Sequence, residues 1–129
     1  MIEHLISALI LVVAVIHVVP ILGFFGGDRL TTLYGVPVND STLQILMRHR
    51  AALFGILAAF FAYAAFVPAL QPIAFVGALA SMGSFFYLAY EVGEITPAVR
   101  KIVVGDIVAT VCLVAATGLR AAVGASPLS

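Results

Sequence analysis

Charge is what this chain has least of. Six Lys and Arg and six Asp and Glu among 129 residues make 9%, against roughly 25% in a soluble domain. From Ala51 to Tyr90 there is no Asp, Glu, Lys or Arg at all. Cysteine occurs once, as Cys112, inside an apolar run. One cysteine excludes an internal disulfide and a paired-cysteine metal site, and in that setting it reads as a small buried hydrophobe. The formal net charge is zero, and no basic patch is interleaved with aromatics, which excludes a nucleic-acid partner. There is no strand-type alternation, no internal repeat, no nucleotide-binding loop and no HxGH motif.

What fills the chain instead is apolar. Hydrophobic residues make up 64% of it, and the mean hydropathy is +1.22. A bilayer crossing takes about 20 apolar residues, so four crossings and their loops nearly exhaust the length. The pattern predicts an all-α integral membrane four-helix bundle, up-down-up-down. It is a single domain with spans at about 2–22, 42–67, 73–90 and 98–119. The first apolar stretch is longer than the core of a signal peptide and no A-x-A site follows it, so it is expected to be retained as a span.

Taken in order, the first span carries Glu3, Ser7, Ala14 and His17 on one face, because spacings of four, seven and three stay aligned on a helix. In the first loop Gly23, Gly26 and Gly27 break the helix, and Asp28-Arg29 marks water or headgroups. Phe24, Phe25 and Tyr34 suit the interfacial aromatic belt, and part of this loop is expected to lie along the membrane surface. Ser41 with Gln44 fits a capping box for the second span. That span has a small face of Ala51, Ala52, Gly55, Ala58, Ala59 and Ala62, suited to close packing in lipid. Its bulky side holds Leu53, Phe54, Leu57, Phe60 and Phe61. Pro68 and Pro72 bracket a turn around Gln71 too short for anything but an antiparallel third span. Thr96-Pro97 reads as an N-cap followed by Pro at the first helical position. Arg120 and a small, polar tail ending at Ser129 close the chain.

Orientation follows from where the cations fall. Arg29, Arg48, Arg50, Arg100 and Lys101 lie on the side of the first and third loops, and only Arg120 lies on the other. The positive-inside rule then places both termini outside the cytoplasm.

The candidate site is a convergence of polar groups on the cytoplasmic half. At 1.5 Å per residue, His17 lies roughly 9 Å before the first helix ends near Gly23, and Asp106 roughly 8 Å beyond Arg100-Lys101, at matching depth. Arg48, His49, Arg50, Tyr87 and Glu91 are shallower on the same side. A charge at helix centre costs about 2.5–3.5 kcal/mol on insertion scales. Asp106 should therefore be paired, protonated or facing a wet cavity, with Arg48, Arg50 or His17 as the obvious partners. It serves either as a ligand or proton site or as a clamp between helices. Arg48 and Arg50 point to nearly opposite faces, and Arg48, aligned with the small face, is the expected inward group. No HxxxH or ExxH spacing supports a metal, and no cofactor is expected.

Leu33-Tyr34-Gly35 in the first loop and Arg48-His49-Arg50-Ala51 at the second helix give the chain its resemblance. It looks like the small four-helix bacterial membrane proteins of the DoxX-like group, nearest an uncharacterised branch. The resemblance implies a bundle in the bacterial inner membrane. Some members of that group are similar to subunits of quinone-linked oxidoreductases, but no catalytic residue carries over by position.

The residues support first a membrane protein that binds a lipid-like or quinone-like molecule, or an accessory subunit of a membrane complex. Arg48 would hold a polar headgroup or pair with Asp106, and His17 would line the pocket. Two alternatives stay open. One is a small membrane enzyme of isomerase or oxidoreductase type, with Asp106 and His17 as acid and base on an apolar substrate. The other is a proton-coupled transporter, which would need a dimer. Membrane lipid and a homodimer or larger complex are the expected partners.

Overall fold

A computed structural model describes residues 1–125; the polar tail at Ser129 lies outside them. Every regular element among the described residues is a helix: α1 (Ile2–Val18), α2 (Gly27–Tyr34), α3 (Ser41–Ala64), α4 (Gln71–Val92) and α5 (Pro97–Ala125). Stretches of 3₁₀ helix extend α1 over Val19–Phe25 and precede α4 over Pro68–Leu70. Four segments are long and apolar enough to cross a membrane: Ile2–Phe25, Ser41–Ala64, Pro68–Val92 and Pro97–Gly124. The chain is an all-α bundle with the composition of a membrane protein. Large apolar side chains such as Val15, Ile56, Val76 and Val111 face outward all round it, as lipid contact requires.

Local chemistry sets the boundaries. Pro20 lies in the first turn of the 3₁₀ stretch, and a residue without an N–H cannot continue the α-helical ladder. Gly26 takes φ +143° and Gly35 takes φ +70°, a region that favours glycine. Gly35 closes α2 by donating its N–H to Thr31 O at 2.8 Å. The α2 helix therefore occupies the loop segment expected at the membrane surface. The cap falls one residue before the predicted Ser41–Gln44 box, and the box is replaced by a single aspartate cap. Asp40 is the cap, its Oδ2 accepting from Leu43 N at 2.9 Å, and Ser41 is the first helical residue. Thr96 caps α5 as expected, its Oγ1 accepting from Val99 N at 3.3 Å. The last helix runs past the expected end at 119 to Ala125. No Pro interrupts it there, and Arg120 is held inside the helix by partners described below.

Antiparallel packing is fixed by contacts between helix ends. Glu3 near the start of α1 meets Arg120 near the end of α5. Ser7 donates to Ala65 O, just past the end of α3. The neighbours of α1 are α3 and α5, α4 leans on α5, and among adjacent spans α3 and α4 approach one another least.

The core joins Ile6, Ile10 and Val13 of α1 to Phe61 and Ala64 of α3, Ala74, Ala78 and Met82 of α4, and Ala109, Leu113 and Ala116 of α5. This corrects the expected division of α3 into a small packing face and a bulky outer side. Phe61 is 1% exposed whereas Ala59 is exposed. The buried stripe runs Ala51, Ala58, Phe61, Ala65, at spacings of seven, three and four that share one helix face. It mixes small and large side chains, as interdigitated packing demands.

Candidate functional site between α3 and α4

The weak α3–α4 approach leaves a groove of about 440 Å³. Leu53 and Leu57 of α3 and Phe85 and Leu88 of α4 form its walls, and His49, Arg50, Ser81 and Ser84 supply its polar groups. No carboxylate lines it.

His17, on the last turn of α1, forms the support behind Ser81. It is 2% exposed, with the ring of Phe61 edge-on at 5.0 Å and that of Phe54 tilted at 5.6 Å. Its Nδ1 lies 2.9 Å from Val13 O. A carbonyl only accepts, so Nδ1 carries the proton. In the neutral ring Nε2 is then the acceptor, and it receives the Ser81 hydroxyl at 3.3 Å. Ser84 spends its own hydroxyl hydrogen on Ser81 O at 2.9 Å.

Arg50 stands at the mouth. Its guanidinium lies 4.6 Å from the Phe54 ring centroid and 5.6 Å from that of Tyr34, and it donates to the Tyr34 hydroxyl. Stacking of this kind orients a guanidinium while leaving in-plane N–H donors free. Asp106 is half-buried on α5, within electrostatic range of His17 and Arg50. It makes no ion pair; among the described residues the one ion pair is Glu3–Arg120.

Three of the seven expected site residues, His17, Arg50 and Asp106, share this neighbourhood, and His49 joins Arg50 in the groove. Arg48 does not. It is exposed, donates Nε to Phe24 O at 2.8 Å and lies 5.6 Å from the Phe24 ring centroid. The inward arginine is Arg50, contrary to the expectation for Arg48. The reason is the rotation of α3: its buried stripe includes Ala58, Phe61 and Ala65, and Arg50 sits one turn before Phe54 beside that stripe. The expected pairing of Arg48 with Asp106 is likewise not made. Tyr87 is 64% exposed and Glu91 is exposed; neither lines the groove. Ser81, Ser84, Phe54 and Tyr34 are the contributors that sequence reasoning missed as site residues. The only signal for them was the shared face of Ser81 and Ser84.

The opposite end of the bundle holds a second polar group that the sequence did not single out as a cluster. Arg120 reaches Glu3 through Nη2–Oε2 at 2.6 Å and Nη1–Oε1 at 3.2 Å, and Gln71 Oε1 through Nε at 2.9 Å. Gln71, 1% exposed, donates in turn to Ala65 O at 3.4 Å. Among the described residues no three of His, Cys, Asp and Glu gather as a metal ion would need.

Fold and site together define a small helical bundle with four membrane-length segments and a lateral groove carrying an arginine at its mouth. No protein-family model, no curated protein and no solved structure matches the chain.

Proposed function

We propose that this is a multi-pass protein of the bacterial inner membrane, of the DoxX-like kind. It binds a lipid-like or quinone-like molecule in the α3–α4 groove, alone or as an accessory subunit of a membrane complex. Both termini face away from the cytoplasm, so the mouth of the groove lies on the cytoplasmic side. The observation that carries this reading is the groove itself. An oriented guanidinium stands in the half of an apolar groove near the start of α3, between two helices. Pockets for amphiphiles combine mostly apolar walls with few placed polar groups.

An enzyme using His17 and Asp106 ranks second. Both ring nitrogens of His17 are engaged and the ring is sealed by Phe54 and Phe61, which leaves no open position for a substrate proton.

Native mass spectrometry with lipid extraction, on protein purified in mild detergent, tests the reading. Wild type is expected to retain a specific small molecule that Arg50→Gln loses. A wild type that carries none would redirect the search to a partner protein.

A further inference from the structure

The hydrogen-bond polarity of the groove narrows its ligand. With the His17 ring neutral, Ser81 commits its hydrogen to Nε2, and Ser84 commits its own to the helix backbone. Toward the groove both hydroxyls therefore present only lone pairs. The depth of the trench can accept hydrogen bonds but not donate them. The donors, Arg50 and His49, stand in the half of the groove near the start of α3, one turn from Leu46, and none stands further along toward Leu57. A quinone ring carries acceptors at both ends and would meet no donor once inserted. A phospholipid gathers its acceptors, phosphate and ester carbonyls, at one end, and the acyl chain beyond them asks for nothing polar.

Charge points the same way. No Asp or Glu lines the groove. Asp106 feels the charge of Arg50 but is not in ion-pair contact with it among the described residues, and attraction falls with distance. A phosphate at hydrogen-bond distance would take the free guanidinium donors in charge-assisted bonds.

We infer that the groove selects an anionic phospholipid, its phosphate on Arg50 and His49 at the mouth and one acyl chain between Leu53, Leu57, Phe85 and Leu88. This rests on the binding reading of the same groove and specifies its headgroup. The tail is part of the recognition, so a free phosphate ion is not the ligand.

The test is lipid competition read by native mass spectrometry. The full chain in mild detergent is offered equimolar phosphatidylglycerol, phosphatidylcholine and an isoprenoid benzoquinone. Phosphatidylglycerol should be retained over the quinone by about tenfold or more, the scale of a charge-assisted hydrogen bond, and by a smaller factor over phosphatidylcholine, whose choline cation meets Arg50 and no carboxylate in the groove. Arg50→Gln should erase the preference, Arg50→Lys should keep most of it, and Arg48→Gln, outside the groove, should leave it intact. Ser84→Phe, which blocks the trench with Arg50 in place, should also abolish retention, so the result does not hang on one variant folding. Preferential retention of the quinone would overturn the anionic assignment while leaving the binding reading standing. Retention of nothing would end both. Equal loss in Arg48→Gln and Arg50→Gln would mean diffuse surface attraction and sink the inference, as would displacement of the lipid by millimolar inorganic phosphate.

Discussion

Arg120 and Arg50 stand at opposite ends of the bundle, and their surroundings differ in kind. Arg120 is bound to Glu3 and Gln71, and through Gln71 to the end of α3. Arg50 is bound to a phenol and two aromatic faces, with no carboxylate in contact. Where the arginine is saturated, helices α1, α4 and α5 are tied together. Where its donors are left over, α3 and α4 stand apart and a groove opens. In a bundle with so few charges, a satisfied cation is a fastener and an unsatisfied one is a place for something else to bind.

The sharpest way to break this contrast is Arg120→Ala. It strands Gln71 Oε1 in a 1% exposed position, and a buried polar group without a partner costs about 1–3 kcal/mol. The Glu3 side chain is 51% exposed, so the ion pair itself adds less than about 1 kcal/mol. A stability loss of roughly 2–3 kcal/mol is expected in denaturant unfolding in micelles, with lipid retention by the intact fraction unchanged. A loss under half a kcal/mol would show that the cluster is not a fastener. Next comes Gly27→Ala. Its Cβ would stand 2.7 Å from Val38 O, so α2 must shift, at about 1–2 kcal/mol. Because α2 carries Tyr34, this variant should also weaken the hold on Arg50, visible as reduced lipid retention. Unchanged retention would detach α2 from the site. The smallest effect is expected from Asp106→Asn. No ion pair is lost, so the stability change should stay within about 0.5 kcal/mol. A drop of several kcal/mol would make Asp106 a clamp of the Arg120 type after all.

The two ends were also unequally legible in the sequence. Four spans, their alternation, the Thr96 cap and the gathering of His17, Arg50 and Asp106 follow from hydropathy, loop length and depth. The choice between Arg48 and Arg50 does not. A helix that is apolar nearly all round has a period but no phase, and the neighbours it packs against settle its rotation. Phe61 and Ala59 exchanged their expected places for that reason. The Glu3–Gln71–Arg120 cluster was hidden because its members are 117 and 49 residues apart, each an ordinary helix-end polar residue when taken singly. Ser81 is a small polar residue in an apolar stretch of the sequence, and only the fold brings it to within 3.3 Å of His17 Nε2.

The 3₁₀ stretch after α1 has a consequence for thickness. A 3₁₀ helix rises about 2.0 Å per residue against 1.5 Å for an α-helix. Seventeen α-helical residues followed by seven 3₁₀ residues make the first crossing roughly 40 Å long, some 10 Å more than a hydrocarbon core of about 30 Å. Such an excess is relieved by tilt, or by lifting its end out of the acyl region. At that end Ile21 Cδ1 lies 2.7 Å from where a Cβ on Gly55 would stand, so the isoleucine fills the space the glycine leaves. The end of the first crossing is thereby pinned to α3, one wall of the groove. A thinner bilayer that tilts the first crossing would turn that wall with it, making the width of the groove a property of the surrounding membrane as well as of the protein.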